Sequence, residues 1–529
     1  MRPAALQLLV LAGCLTPAQH RERTGETANA FASAESVLVD LELDGKLVAD
    51  GAAGSSFEPL VATQLTYLVG QLNGERSVGQ HQEAQFSITS IDPSSTTPST
   101  SIVTYHAKIP VAWGGGPPPT TYSVILPSRV GQADRVAFAE KYAGTCTDPE
   151  GAMTGADDEA RMFLFYRPLR AGCTLSPEDV FITSANVVPS AKNTTDKYPE
   201  YHRVWEDDEL DVVAVFGSEL DAGRAEDSGV AAYDAFVDGA DTYLRSLQGT
   251  TATSPIETGA GAGRSVRVSA ILPDARRIQI DAVLVPPHLA EERSTFDDWY
   301  DARTPDADLI IYSGHAGLGE NVRALSQKGS FRAKKYVVFF VNGCDTFAYL
   351  DRTLANRRAT LNPDDPAGTK YMDTVSNVLG GYFRSGDKTS LHMIRELVGA
   401  LAGTPKTYEG LLAGIDATQI AVVTGEEDNE FVPGMVATKS LTGQADAAFG
   451  ATRDYPRIAL NAPSYEDASG PRNAEPAMFG CSVVPNAGHA PPVLAAVAWL
   501  LARRRRKRPK TRGGAIDAMS VDGSMCGSI

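Results

Sequence analysis

The sequence predicts an α/β protein in which a sheet of mostly parallel strands, flanked by helices, follows an α+β or mostly-β first domain. Three observations carry this expectation. Residues 36–200 read as short strands broken by Pro/Ser and Gly/Pro runs. Residues 205–435 alternate apolar runs with stretches of helical spacing. Two of those runs, LIIY at 309–312 and YVVFFV at 336–341, are apolar throughout, as strands buried on both faces must be. A chain of 529 residues also exceeds the roughly 250–300 that a single core sustains, so more than one folded unit is expected.

Taken in order, strand signals occupy 86–91, 102–113 and 122–126, punctuated by PSSTTPSTS (93–101) and GGGPPP (114–119). A helix is expected over 133–142, and 162–166 reads as a further apolar strand. The second domain opens with the strand VVAVF at 212–216. Ser228 is placed to cap a helix carrying Val230, Tyr233, Val237, Ala240, Leu244 and Leu247. Strands are expected at 266–271 and 278–285, and Ser294-Thr295-Phe296-Asp297 resembles a capping box. Helices are expected near 372–383 and 390–401, and a last strand at 420–424. The polar loop 362–368, with Asp364 and Asp365, reads as an exposed turn. The run Asp207, Asp208, Glu209 and Asp211 reads as solvated charge, and 440–478 as a linker.

Hydrophobic residues make up 43% and charged residues 21%, as in an ordinary globular chain. Between 503 and 512 lie eight Arg and Lys residues, and removing them from the net charge of −17 leaves −25 for the rest. So acidic a body repels phosphate backbones, which excludes nucleic acid as an expected partner. Residues 1–14 read as a signal peptide ending Leu11-Ala12-Gly13-Cys14, which resembles the lipobox of bacterial lipoproteins. That resemblance implies lipidation of Cys14, followed by a tether over 15–35. Residues 479–512 hold Cys481, the apolar PVLAAVAWLLA and the basic cluster. They resemble a myxobacterial-type C-terminal sorting tail, with 513–529 as a disordered extension. The expected location is the cell envelope or surface, attached to the membrane through lipid and tail. Of six cysteines, Cys146 and Cys173 flank one short segment and are natural disulfide partners in an exported protein. Cys344 is left without a structural partner.

The chemistry concentrates where the two apolar strands end. The first runs into Ser313-Gly314-His315-Ala316-Gly317, the second into Asn342-Gly343-Cys344-Asp345-Thr346. In open parallel sheets ligands bind beyond the carboxyl ends of the strands, so adjacency would bring His315 and Cys344 to one crevice. A thiolate beside an imidazole is a nucleophile at neutral pH. Glycines at these ends let backbone amides approach a substrate. Asn321, Asp345 and Thr346 stand close enough in sequence to orient the histidine or line a pocket. No phosphate loop, zinc-ligand spacing or dinucleotide fingerprint is present, and neither metal nor cofactor is expected. His202, His288 and His392 have no His or Cys at ligand spacing.

A hydrophobic strand ending in His, then a hydrophobic strand ending in a small residue and Cys, resembles the caspase, gingipain and legumain superfamily of cysteine peptidases. The resemblance covers about residues 205–435 and implies a caspase-like sheet. It implies Cys344 as nucleophile, His315 as proton donor to the departing amine, and backbone amides around Ala316, Gly317 and Gly343 facing the oxyanion. Ala316 stands where that family has Gly, and Asp345-Thr346-Phe347 matches none of its best-known members. The expected function is an envelope-anchored cysteine endopeptidase acting on protein or peptide through a thioester. The alternative is an inactive caspase-like surface lipoprotein serving as a binding or adhesion module. A serine hydrolase using Ser313 or Ser218 lacks the Gly-x-Ser-x-Gly elbow.

Overall fold

The computed structural model describes residues 36–436 apart from 52–54, 95–98, 115, 149–157, 195, 221–226, 248, 254–256, 260–262, 290–294, 416–418 and 427–429. The expected signal peptide with Cys14, the tether, the linker, the tail with Cys481 and the extension lie outside the described residues, as does Ser294 of the capping box. No helix among the described residues is long and apolar enough to cross a membrane.

The first unit of structure is a six-stranded sheet, antiparallel at every pairing. Its strands are β1 (Val37–Asp50), β2 (Val78–Gly79), β3 (Gln85–Pro93), β4 (Thr100–Trp113), β5 (Thr121–Pro127) and β6 (Val180–Pro189), with β1 and β4 paired over their full length. Alternating burial along β1 and β4 presents Val39, Leu41, Leu43, Val103, Tyr105 and Ile109 to a core. Helices α1 (Glu58–Asn73), α2 (Gln132–Tyr142) and the single turn α3 (Met162–Phe165) supply its other side. Two expectations are corrected here. The apolar run at 162–166 is a helical turn, and α1 went unread because it carries no charge after Glu58 and therefore shows no polar stripe. Cys146 and Cys173 form the expected disulfide.

The second sheet has nine strands: β7 (Glu209–Gly217), β8 (Thr250–Thr253), β9 (Glu257–Gly259), β10 (Gly263–Ile271), β11 (Arg277–Val285), β12 (Leu309–Ser313), β13 (Val337–Asn342), β14 (Met372–Asn377) and β15 (Ala421–Thr424). Strands β11, β7, β12, β13 and β14 run parallel. The remaining pairings, β10 with β11, β8 and β9 and β15 with β14, are antiparallel. The expectation of a caspase-like, mostly parallel sheet is therefore overturned: half of the pairings are antiparallel and the sheet is mixed. The reason is connection length. Only residues 272–276 separate β10 from β11, and a parallel return needs a crossover of about a dozen residues or more.

Further helices are α4 (Tyr201–Val204), α5 (Ser228–Ser246), α6 (Thr295–Asp301), α7 (Glu320–Gln327), α8 (Thr346–Tyr349), α9 (Thr353–Leu361), α10 (Phe383–Gly399) and α11 (Tyr408–Leu412). Helices α5 and α10 pack one face of the nine-stranded sheet, through Phe236, Leu244, Ile394 and Leu397 against Val212, Leu309 and Phe340. The other face holds Val213, Ile310 and Phe339 in one apolar cluster with Phe296 of α6, Leu325 of α7 and residues of the first unit, Val69, Val78 and Phe165. The described residues before and after about 200 thus share a core.

Residues 372–377, expected in a helix, are strand β14, between β13 and the edge strand β15. Its sequence hides this, because Asp373, Thr374, Ser376 and Asn377 are polar yet all buried. Asp373 accepts hydrogen bonds from Tyr336 and Tyr408. Loop 362–368 is likewise less exposed than expected: Asn362 and Asp365 are buried, and the Asp365 carboxylate accepts from the amides of Gly368 and Lys370.

Candidate functional site

Strands β12 and β13 are neighbours in parallel register, with Ser313 opposite Asn342. Two residues further on stand His315 and Cys344. The loops that carry them touch: Gly314 N donates to Asn342 O at 3.1 Å, and a Cβ on Gly343 would lie 2.8 Å from Gly314 O and 3.3 Å from Ala316 N. Both residues also border the turn that starts α10. The His315 ring meets Phe383 edge-on at 5.0 Å, and Cys344 Sγ lies 3.7 Å from Gly381 O. Gly381 is itself pressed in, because a Cβ there would come within 2.9 Å of Asn377 Nδ2.

The histidine is held firmly. Its Nε2 lies 2.9 Å from Glu219 O. A carbonyl can only accept, so Nε2 carries a proton and Nδ1 is the basic nitrogen of the neutral ring. Glu219 is fixed in turn by Asp227, whose carboxylate accepts from the amides of Glu219 and Leu220 at 2.9 Å. The same carboxylate accepts from Gly229 and Val230 at the start of α5. Asp227, not Ser228, is thus the cap of that helix, and it fastens the loop that orients the ring. The carbonyl of His315 accepts from Tyr312 Oη at 2.6 Å and Asn321 Nδ2 at 2.8 Å.

Beneath the loops lies a buried polar network. Asn342 Oδ1 accepts from Asn377 Nδ2 at 2.8 Å and Gln419 Nε2 at 2.5 Å, while Asn342 Nδ2 reaches Ser313 Oγ at 3.3 Å. Asn377 Nδ2 also donates to Gly343 O at 2.9 Å. These bonds tie the ends of β12, β13 and β14 together and help to fix the Cys344 loop. They also occupy the Ser313 hydroxyl, which binds Asn342 within the network.

The remaining sequence-derived residues play other parts. Asn321 holds the main chain of His315 and, by accepting from Leu289 N, bolts it to the segment after β11; it does not touch the ring. Thr346 Oγ1 donates to Val341 O at 2.7 Å and accepts from Asn377 N at 2.9 Å, closing the turn after Cys344. Asp345 has φ of 51° and turns away from the histidine, taking a hydrogen bond from Asn73 at the end of α1. Burial pushes its carboxyl up to about 6, against the opposing pull of that hydrogen bond and of Arg167. The Ala316 methyl lies in the apolar cluster, not in the crevice, and Gly317 takes φ of +60°. Glu219, Gly381, Phe383, Asn377 and Gln419 were missed. Asp227 alone had a readable signal, an Asp directly before Ser-Gly at a helix start.

Cys344 differs from the expectation in one important respect. Only Cys146 and Cys173 pair among the described residues, yet Cys344 is disulfide-bonded, so its partner sulfur lies outside the described residues. Cys344 is 5% exposed and His315 7%.

Replacing Gly343 by Ala is expected to destabilise the fold by about 1–3 kcal/mol, because the carbonyl of Gly314 cannot yield as a flexible side chain would. Urea denaturation measures this, and an unchanged midpoint would mean that the two loops part freely.

No family model matches this chain, and no curated protein or solved structure proved similar to it.

Proposed function

We propose that the protein is a cysteine peptidase stored in an oxidised state, with Cys344 as nucleophile and His315 as its acid–base partner. The observation that carries this reading is the pair of adjacent parallel strands delivering an imidazole and a sulfur, in register, to the same turn at 379–383. A dithiol reductant gives two electrons and two protons to the Cys344 disulfide, becomes a disulfide itself and leaves two thiols. Nδ1 of His315 then takes the Cys344 proton and the thiolate attacks a peptide carbonyl. The imidazolium returns the proton to the departing amine, leaving a thioester that water hydrolyses. The Glu219 carbonyl accepts from Nε2–H throughout and keeps the ring in the required tautomer.

Export and envelope attachment belong to the same reading. A disulfide between Cys146 and Cys173 suits an oxidising compartment, and the sequence of both chain ends suits membrane attachment. The substrate is protein or peptide.

The test is covalent labelling of the full chain by an acyloxymethyl-ketone or epoxide probe with varied P1 residues, before and after treatment with dithiothreitol. Labelling should appear after reduction and vanish in Cys344→Ala. Equal labelling of that variant would remove Cys344 as the nucleophile. The low exposure of both groups favours a second reading, a binding module without turnover. It is recognised by a reduced, folded protein whose Cys344 reacts with small thiol reagents but with no peptide-like probe.

A further inference from the structure

Far from the strand ends described above, three donors converge where α4 meets the segment 430–436. Glu200 is 4% exposed, and its Oε1 accepts from the amides of Glu430 at 2.6 Å and Phe431 at 3.2 Å. Its second oxygen, Oε2, is fully buried and makes no hydrogen bond. His202 Nδ1 stands 3.2 Å from that oxygen and is equally buried without one. Glu430 completes the group: one donor atom from each of the three residues lies within 4.8 Å of the other two. A buried carboxylate oxygen and a buried imidazole nitrogen, each without a hydrogen bond of its own, are costly unless a proton or a cation fills the gap.

We propose that Glu200, His202 and Glu430 form a site for a divalent cation of the zinc class. One imidazole and two carboxylates suit zinc, with solvent as the fourth ligand. The Glu430 carboxylate already binds Arg203 at 2.6 Å through Oε2 and Lys370 at 3.3 Å through Oε1. One of its oxygens must shift from these cations to the metal, and the other keeps its partner as an outer-shell support. The nearby positive charges weaken the site, so affinity in the micromolar range is expected rather than the tight binding of an all-thiolate cage. The role is mechanical. Phe431 packs on Tyr201 at 5.2 Å and stacks on His202 at 6.1 Å, and the ion would staple this segment to α4. Ligands two residues apart, joined by a third some 230 positions later, leave no local signature in the sequence.

The experiment is isothermal titration of the full, unreduced chain with zinc chloride, paired with thermal melting with and without zinc. One ion per chain and a raised melting temperature are expected. Both effects should fall at least tenfold in His202→Gln and in Glu430→Gln, whose side chains reach the surface. Melting of each variant without metal shows that it folds. Absence of zinc binding to the parent chain, or binding unchanged in either variant, overturns the site. Stronger stabilisation by calcium or magnesium than by zinc overturns the assigned metal class.

Discussion

Turnover by the reduced protein should fall by about 10²–10⁴-fold in His315→Ala, the range that a positioned general acid–base supplies. The loss should appear in kcat, since the imidazole moves a proton and does not bind substrate. Three controls separate this from a folding defect. The thiol count after reduction should match that of the parent chain, and so should the melting temperature. In addition, Glu219 meets the ring only through its carbonyl, and Gln keeps an oxygen to accept from Ser228 N, so Glu219→Gln should retain most activity. A His315→Ala protein with parental kcat would leave Cys344 without its partner and favour the binding module.

The second large effect concerns stability. Removing the Cys146–Cys173 bridge in a double Ala variant should cost about 3–4 kcal/mol, the loop-entropy value for a closure of this length. Cys146 is fully buried in the core of the first sheet with Tyr142 and Tyr166, and its neighbour Thr147 bridges to Tyr166. Denaturant titration measures the cost. Cys344 is buried as well and Cys173 only partly so, and thiol counting during graded dithiothreitol treatment gives the order in which the two bridges open. Simultaneous opening of both bridges would show that the reductant reaches them equally.

Much of the architecture was legible, for reasons the particular strands make plain. Strands 309–313 and 337–342 are apolar at almost every position because helices or the first unit cover both faces, and that pattern has few other meanings. Helix α5 was recognisable from its spacing, though its cap was misplaced by one residue. Chain direction in the sheet was not legible from rhythm. The 272–276 turn was short enough to reveal a hairpin, but the alternation around it suggested crossovers. β14 was hidden because its buried polar residues bond to partners from distant strands and helices, and α1 because apolar contact surrounds most of it. At the site, the neighbouring positions of His315 and Cys344 could be read from the strand ends. The groups that aim them could not, because a backbone carbonyl such as that of Glu219 carries no side-chain signature.

The apolar cluster that joins Val69, Val78 and Phe165 to Val213, Ile310 and Phe339 has a consequence for biogenesis. The ribosome releases the first of these residues well before the last, so the early half emerges with a greasy surface awaiting a lining that has not been made. Completion waits for Val422, the last buried member of the cluster, and contacts of such long sequence separation assemble slowly. On the proposed export reading, a chain that completes its core this late crosses the membrane unfolded and matures on the far side. There the oxidant that closes 146–173 is at hand when the last strands arrive.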